Sequence, residues 1–213
     1  MQSSQSLRPY RTIRQDSEIE LVIQKSRFIG RCFPVADAAG ASAVLDRVRK
    51  RHWDATHNCY AYRVGCEPSA TRSSDDGEPS GTAGAPILNV LSRLELTNAL
   101  CVVTRYFGGV LLGAGGLVRA YSNAAGAAAE AAGIVQMRPA SGYTAAFTYP
   151  QWAAAEAALR KHAEVSGVHY TDVVTATFWL FDDLAMQTLA QIRDLTDGRA
   201  APELCARDMR PLH

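Results

Sequence analysis

Hydrophobic positions along the chain switch between a period of two and a period near 3.6, and the switches mark the elements. EIELVIQ (18–24) and RFIGRCFPV (27–35) read as two strands of a hairpin, separated by Lys25 and Ser26. DAAGASAVLDRVRKRH (37–52) repeats Ala41, Val44, Leu45 and Val48 at i, i+3, i+4 and i+7. This spacing predicts a helix that turns Arg47, Arg49, Lys50 and Arg51 mostly toward water. HNCYAYRVG (57–65) alternates, placing Asn58, Tyr60, Tyr62 and Val64 on one face of a strand and His57, Cys59, Ala61 and Arg63 on the other. A short helix is predicted near 82–92, with Thr82 as N-cap and Pro86 in its first turn. LCVVTRYF (100–107) is β-branched and predicts a central strand. After GGVLLGAGG (108–116), LVRAYSNAAGAAAEAAG (117–133) predicts a helix. Leu117, Tyr121, Ala124 and Ala128 face its core, while Arg119, Asn123, Gly126 and Glu130 share another face. A mid-helix glycine costs about 1 kcal/mol against alanine, so Gly126 predicts a close packing contact.

GIVQMRPASG (133–142) reads as the boundary, because glycine ends the alanine-rich pattern and Pro-Ala-Ser-Gly precedes new alternation. Beyond it, YTAAFT is a strand and Pro150 opens a helix with Trp152, Ala155 and Leu159 on one stripe. GVHYT and VVTATFWLF form a hairpin about Asp172, with Val174, Ala176, Phe178 and Leu180 on one face. Asp182 is expected to cap a helix carrying Met186, Leu189, Ile192 and Leu195, which Gly198 ends. RAAPELCA (199–206) is the last strand, with Pro202 tolerable only at an edge. The order is βαββαβ, a ferredoxin-like unit.

The chain of 213 residues, 47% hydrophobic and 20% charged, can bury an ordinary core in one large or two small domains. No apolar run is long enough to span a membrane, and the polar start resembles no secretory signal, so the expectation is a cytoplasmic protein without membrane contact. Five cysteines (Cys32, Cys59, Cys66, Cys101, Cys205) are odd in number and lack a C-x-x-C pair, which points to reduced, mostly buried thiols. A net charge of +1 excludes a protein that coats nucleic acid by bulk charge. Residues 1–72 nevertheless hold 12 basic against 7 acidic side chains, clustered at RVRKRH (47–52), which reads first as a solvated helix face and is where any polyanion contact would be sought.

Two loops hold the candidate chemistry. SSDDGEPSGTAGAP (73–86) puts Asp75, Asp76 and Glu78 ahead of a helix start. They can order the loop and favour the positive helix end, form a surface for a partner, or hold Mg²⁺ through oxygen ligands. GGVLLGAGGLVR (108–119) follows a strand and opens a helix, a context that can cradle phosphate. It matches neither phosphate-loop pattern and has no lysine, so tight strand-to-helix packing explains it as well. Arg105 and Arg119 flank this loop and can pair with phosphates or with Asp75 and Asp76. His57 with Cys59 and Cys66 gives weak signals for zinc, and His57 with Cys59 for a nucleophile pair, since no third orienting group or fourth ligand is evident.

KSRFIG (25–30), ATHNCYAYR (55–63), SSDDGEPSGTAGAPIL (73–88) and VVTRYFGGVLLGAGGLVRAY (102–121) together resemble the signature blocks of the YigZ/IMPACT family over residues 17 to about 133. The resemblance implies an α+β protein of two domains after a polar extension (1–16). The first (17–137) is expected to share the fold of a small-subunit ribosomal protein and elongation factor G domain IV. The second (138–213) is expected to be a ferredoxin-like sandwich. Eukaryotic members regulate translation by competing for the activator of an initiation-factor kinase; bacterial members have no established biochemical role. Lys25, Arg27, His57, Asn58, Asp75, Asp76, Glu78, Arg105, Tyr106 and Arg119 fall on motif positions and are carried over as a binding surface rather than a catalytic set. The expectation is a non-enzymatic binding or regulatory protein without a cofactor, contacting RNA, the ribosome or a translation-regulatory protein through its RYFGG (105–109) and glycine-loop face. The alternative is a Mg²⁺-dependent enzyme acting on a phosphorylated small molecule or nucleotide; a third reading is a passive assembly module built on the second domain.

Overall fold

The computed structural model describes residues 7–65 and 70–212. Backbone contacts divide the chain into two compact units, one of residues 10–136 and one principally of 137–212. The protein is mixed α and β, with five helices among the described residues and antiparallel sheets in both units.

In the N-terminal unit the sheet order is β2 (Ser17–Ile23), β3 (Ser26–Pro34), β6 (Ala99–Tyr106), β4 (His57–Val64), β5 (Ala70–Ser74). The apolar strand β6 is central, paired with β3 and β4. A further strand, β1 (Tyr10–Ile13), precedes them. The β2–β3 turn falls on Gln24 and Lys25 rather than on Lys25 and Ser26. Both residues have positive φ, 46° and 66°, which suits the right-handed twist of the flanking strands.

Strand β4 divides its side chains as the alternation predicts. Tyr60, Tyr62 and Val64 pack with Ala41, Leu45 and Val48 of α1 (Ala38–Arg51), while Cys59 and Ala61 join the larger core on the opposite face. That core is closed by α2 (Gly84–Arg93) and α3 (Gly113–Ala132). The sheet is therefore sandwiched between helices. Asp37 caps α1 by accepting from the Gly40 N–H at 2.7 Å.

Helix α3 starts four residues earlier than its pattern predicts, so GAGG (113–116) is its first turn and the preceding loop is shorter. Leu117, Tyr121, Ala124 and Ala128 are buried. The close approach expected at Gly126 is absent: a methyl there meets nothing within 4 Å. The contact belongs to Gly30 on β3, where an added Cβ lies 2.4 Å from the Ala124 carbonyl oxygen. A small residue on the strand, not on the helix, lets the two backbones meet.

The C-terminal unit runs β7 (Ile134–Phe147), α4 (Tyr149–His162), β8 (Glu164–Tyr170), β9 (Val174–Phe181), α5 (Asp182–Leu195) and β10 (Glu203–Pro211), with sheet order β10-β7-β9-β8. The stretch 133–142, read as a boundary, is itself mostly strand, because β7 begins at Ile134 and pairs with β10 through Pro139. Thr148 and Gln151 form a reciprocal cap for α4. Val174, Ala176, Phe178 and Leu180 are fully buried. Asp182 does not cap α5; Phe181 is the cap residue, and the Asp182 carboxylate accepts from the Ser141 hydroxyl at 2.7 Å. The buried stripe of α5 is Ala185, Thr188 and Ile192, so Met186 is 85% exposed and Leu195 is exposed as well. Strand β10 starts beyond Pro202, later than the pattern predicts.

Candidate functional site

The acidic loop and the glycine loop lie side by side in the N-terminal unit. The tip of the β2–β3 hairpin presses on the glycine loop, since a Cβ on Gly108 would lie 2.1 Å from the Lys25 carbonyl. The buried Ser26 hydroxyl accepts from Nη2 of Arg105 and from the Gly108 N–H. On the same side of the sheet, Nη1 of Arg105 donates to Oε1 of Glu78 at 2.7 Å, and the Tyr121 hydroxyl donates to the same oxygen at 2.7 Å. Arg105 and Glu78 are 5% and 8% exposed. The guanidinium lies between the rings of Phe28 and Phe107, each 5.3 Å away.

Each of the three acids has its own task. Asp75 accepts from the N–H groups of Gly81, Ala83 and Gly84, so it, and not Thr82, satisfies the start of α2. Thr82 instead turns its hydroxyl to the Pro79 carbonyl. Burial would raise the Asp75 pKa, but the three N–H bonds outweigh it and hold the carboxyl below its ordinary value. Asp76 accepts from Nη2 of Arg49 at 2.9 Å and from the Asn58 N–H at 2.7 Å. Its backbone carbonyl is 2.8 Å from Nδ1 of His57. Arg105 therefore pairs with Glu78, and Arg49 with Asp76, in place of the pairing of Arg105 and Arg119 with the two aspartates. Arg119 is exposed and makes no ion pair among the described residues.

These groups and the glycine loop border a cavity of about 400 Å³ lined by Thr56, His57, Glu78, Arg105, Phe107 and Leu112 among others, and by Gly113 and Ala114 at the start of α3. His57 Nε2 stands 3.8 Å from Oε1 of Glu78. Cys59 is buried, donates to the Asp75 carbonyl, and has its pKa pushed up to about 12, chiefly by burial. A thiol so protonated does not act as a nucleophile at neutral pH. Cys66, the third member of the weak zinc pattern, lies outside the described residues.

The opposite face of the sheet carries a second polar group. Arg31, 2% exposed, donates from Nε to Glu18 at 2.8 Å, from Nη1 to the Thr104 hydroxyl, and from Nη2 to Nε2 of His52 at 2.6 Å. A guanidinium only donates, so Nε2 of His52 is the acceptor and Nδ1 carries the proton, donated to the Tyr106 hydroxyl 2.9 Å away. Tyr106 in turn donates to Asp54. Burial and then the charges of Arg31 and Arg51 lower the His52 pKa, keeping the ring neutral. Arg27 pairs with Glu20 through two 3.0 Å bonds and lies over the Tyr106 ring. Asn58 joins this face through the Thr104 hydroxyl, which donates to its side-chain oxygen at 2.8 Å.

The motif residues thus divide between two faces. His57, Glu78 and Arg105 gather at the cavity; Asp75 holds the start of α2; Arg27, Asn58 and Tyr106 lie on the other side; Lys25 sits at the hairpin tip, Asp76 ties β4 to α1, and Arg119 is exposed on α3. Arg31 and His52 belong to the second face without any motif spacing to mark them. Trp53, just past α1, is 83% exposed. Arg47 and Arg51 of α1 join Arg31, Phe33, Val44 and Val48 around a cleft of about 240 Å³.

Among known proteins, the family described as the Impact N-terminal domain matches residues 24–129. The Bacillus subtilis protein named IMPACT family member YvyE is 45% identical over 132 residues, 62% of this chain and 61% of its own length. Escherichia coli IMPACT family member YigZ is 39% identical over 139 residues, 64% of this chain and 68% of its own length. A solved structure described only as a hypothetical protein is 30% identical, with a TM-score of 0.60 over 94% of this chain and 98% of that one.

Proposed function

Since the chain belongs to the YigZ/IMPACT family, we propose that it is a regulatory binding protein whose N-terminal unit docks single-stranded RNA of the translation apparatus on the C-terminal end of α1. The carrying observation is Trp53, an indole 83% exposed at the end of a helix whose Arg47 and Arg51 border a cleft with Arg31. A large aromatic held out in water two residues beyond Arg51, on a helix end rich in cations, can stack a base while the arginines meet its phosphates. Arg31 is committed to Glu18, Thr104 and His52, so it holds the cleft in shape. Arg47, exposed and without an ion pair among the described residues, is the free phosphate contact; Arg51 pairs loosely with Glu18 at 3.5 Å. The Tyr106–His52 bond keeps the C-cap of α1, and with it Trp53, in place.

Both carboxylate oxygens of Asp75 and of Asp76 are taken by N–H donors, which favours this reading over a Mg²⁺-dependent enzyme, whose ion needs open oxygens. The two compact units support a division into domains of 17–137 and 138–213. Strand order β10-β7-β9-β8 supports the ferredoxin-like reading of the second, and the sheet with helices on both faces supports the ribosomal-protein-like reading of the first. A cytoplasmic site of action belongs to the same proposal. Anisotropy of a labelled 12-nucleotide RNA, titrated between about 50 and 200 mM salt, tests it: two or three phosphate contacts give a log–log slope of roughly −1.4 to −2.1. Absence of binding at the lower salt overturns it.

A further inference from the structure

The cavity lined by Arg105 lies on the opposite face of the sheet from the Arg31–His52 network. We propose that it binds a small organic acid, an oxyanion head on an apolar body, with the head at the first turn of α3 and on the Nε–H of Arg105.

Arg105 carries the inference. It lines the cavity, is 95% buried, and its Nε has no acceptor. A buried donor left unpaired costs free energy that a hydrogen bond to a charged group recovers. Each of its two other nitrogens has an acceptor, Glu78 or Ser26, so Nε is the guanidinium nitrogen with none. Phe107, whose ring stacks on it and also lines the cavity, is 45% exposed.

The start of α3 faces the same space. Gly113 and Ala114 line the cavity, the helix is 20 residues long, no side chain caps it, and its first turn holds no acid. Its leading N–H groups lack intrahelical partners and carry partial positive charge. The start of α2 shows the chemistry such an end takes in this fold: the Asp75 carboxylate seated on the Ala83 and Gly84 N–H groups. Arg119 supplies a further cation there, since its Nη1 lies 3.7 Å from where a Cβ on Gly115 would stand. The negative charge of Glu78 is offset by Arg105 and the Tyr121 hydroxyl. Beside Thr56 and His57, the walls include the apolar side chains of Pro79, Phe107, Leu111, Leu112 and Leu117, which suit the body of the ligand.

The test is titration of the ¹⁵N-labelled full chain with phenylacetate, phenyl phosphate and uncharged phenylacetamide, following the Gly113–Gly116 amides and the Arg105 Nε–H. Saturable shifts confined to those groups are expected for one or both acids, with phenylacetamide at least tenfold weaker. A response to phenylacetate alone assigns a carboxylate head, and a response to phenyl phosphate alone a phosphate monoester. Ala114→Asp, at an exposed position of the first turn, supplies the helix end with its own acid and is expected to weaken acid binding at least tenfold in a folded protein. No saturation by either acid at millimolar concentration, equal binding of the amide, or unaltered acid binding to Ala114→Asp overturns the proposal.

Discussion

Arg105 and Glu78, 27 positions apart in sequence, meet through a 2.7 Å charge-assisted hydrogen bond in an interior where both are almost wholly buried. Removing one partner strands the other charge, which typically costs about 3–5 kcal/mol. Glu78→Ala is expected to lower the melting temperature by roughly 2–4 °C per kcal/mol, as read by calorimetry. The paired change Glu78→Leu with Arg105→Met is expected to be less damaging than either single change, and a double mutant cycle measures the coupling.

Asp75 gives the fold an acid-sensitive joint. Its folded pKa lies below the unfolded value, so the stability it contributes is present above the unfolded carboxylate range and is lost as pH falls through the folded value. Urea unfolding of Asp75→Asn is expected to show a loss of about 0.5–2 kcal/mol at pH 7. The difference from the parent chain is expected to shrink steadily as the pH is lowered below about 4.

Two glycines separate backbone packing from helix propensity. Gly30→Ala drives a methyl into the Ala124 carbonyl and is expected to cost about 1–3 kcal/mol. Gly126→Ala meets open space on α3 and is expected to stabilise by up to about 1 kcal/mol. A stabilising Gly30→Ala would contradict the packing.

Thiol reactivity follows burial. In folded protein at pH 8, iodoacetamide is expected to label Cys205, which is exposed, and to spare Cys32, Cys59 and Cys101, which are buried. Peptide mapping reads the outcome, and fast labelling of Cys59 would contradict a pKa pushed to about 12.

Much of this architecture was legible in the chain because periodicity reports which face of an element is buried. Strand β4 shows it: one alternation put Tyr60 and Cys59 on opposite faces, and they pack in different cores. What periodicity does not carry is long-range pairing. Thr82 has the chemistry of a cap and stands at the right place, yet Asp75 reaches the same N–H groups across a glycine-rich loop. Gly126 marked a contact whose room comes from Gly30 on another element. In α5, Met186 and Leu195 looked apolar enough for the core, but the buried stripe runs through Ala185, Thr188 and Ile192 instead. The motif residues form two groups because successive residues on β6 point to opposite faces: Arg105 joins the cavity and Tyr106 the histidine network. Trp53 lay outside every pattern, since one exposed aromatic has no period.

The central claim, that RNA docks at the end of α1, is tested most directly by comparing Trp53→Ala and Leu111→Ala in the same anisotropy titration at low salt. Stacking one base on an indole is worth about 1–3 kcal/mol, so Trp53→Ala is expected to bind RNA roughly 5- to 150-fold more weakly. Leu111→Ala, at the cavity mouth on the other face, is expected to bind as the parent does. Unchanged affinity in Trp53→Ala, or a loss confined to Leu111→Ala, would contradict the account.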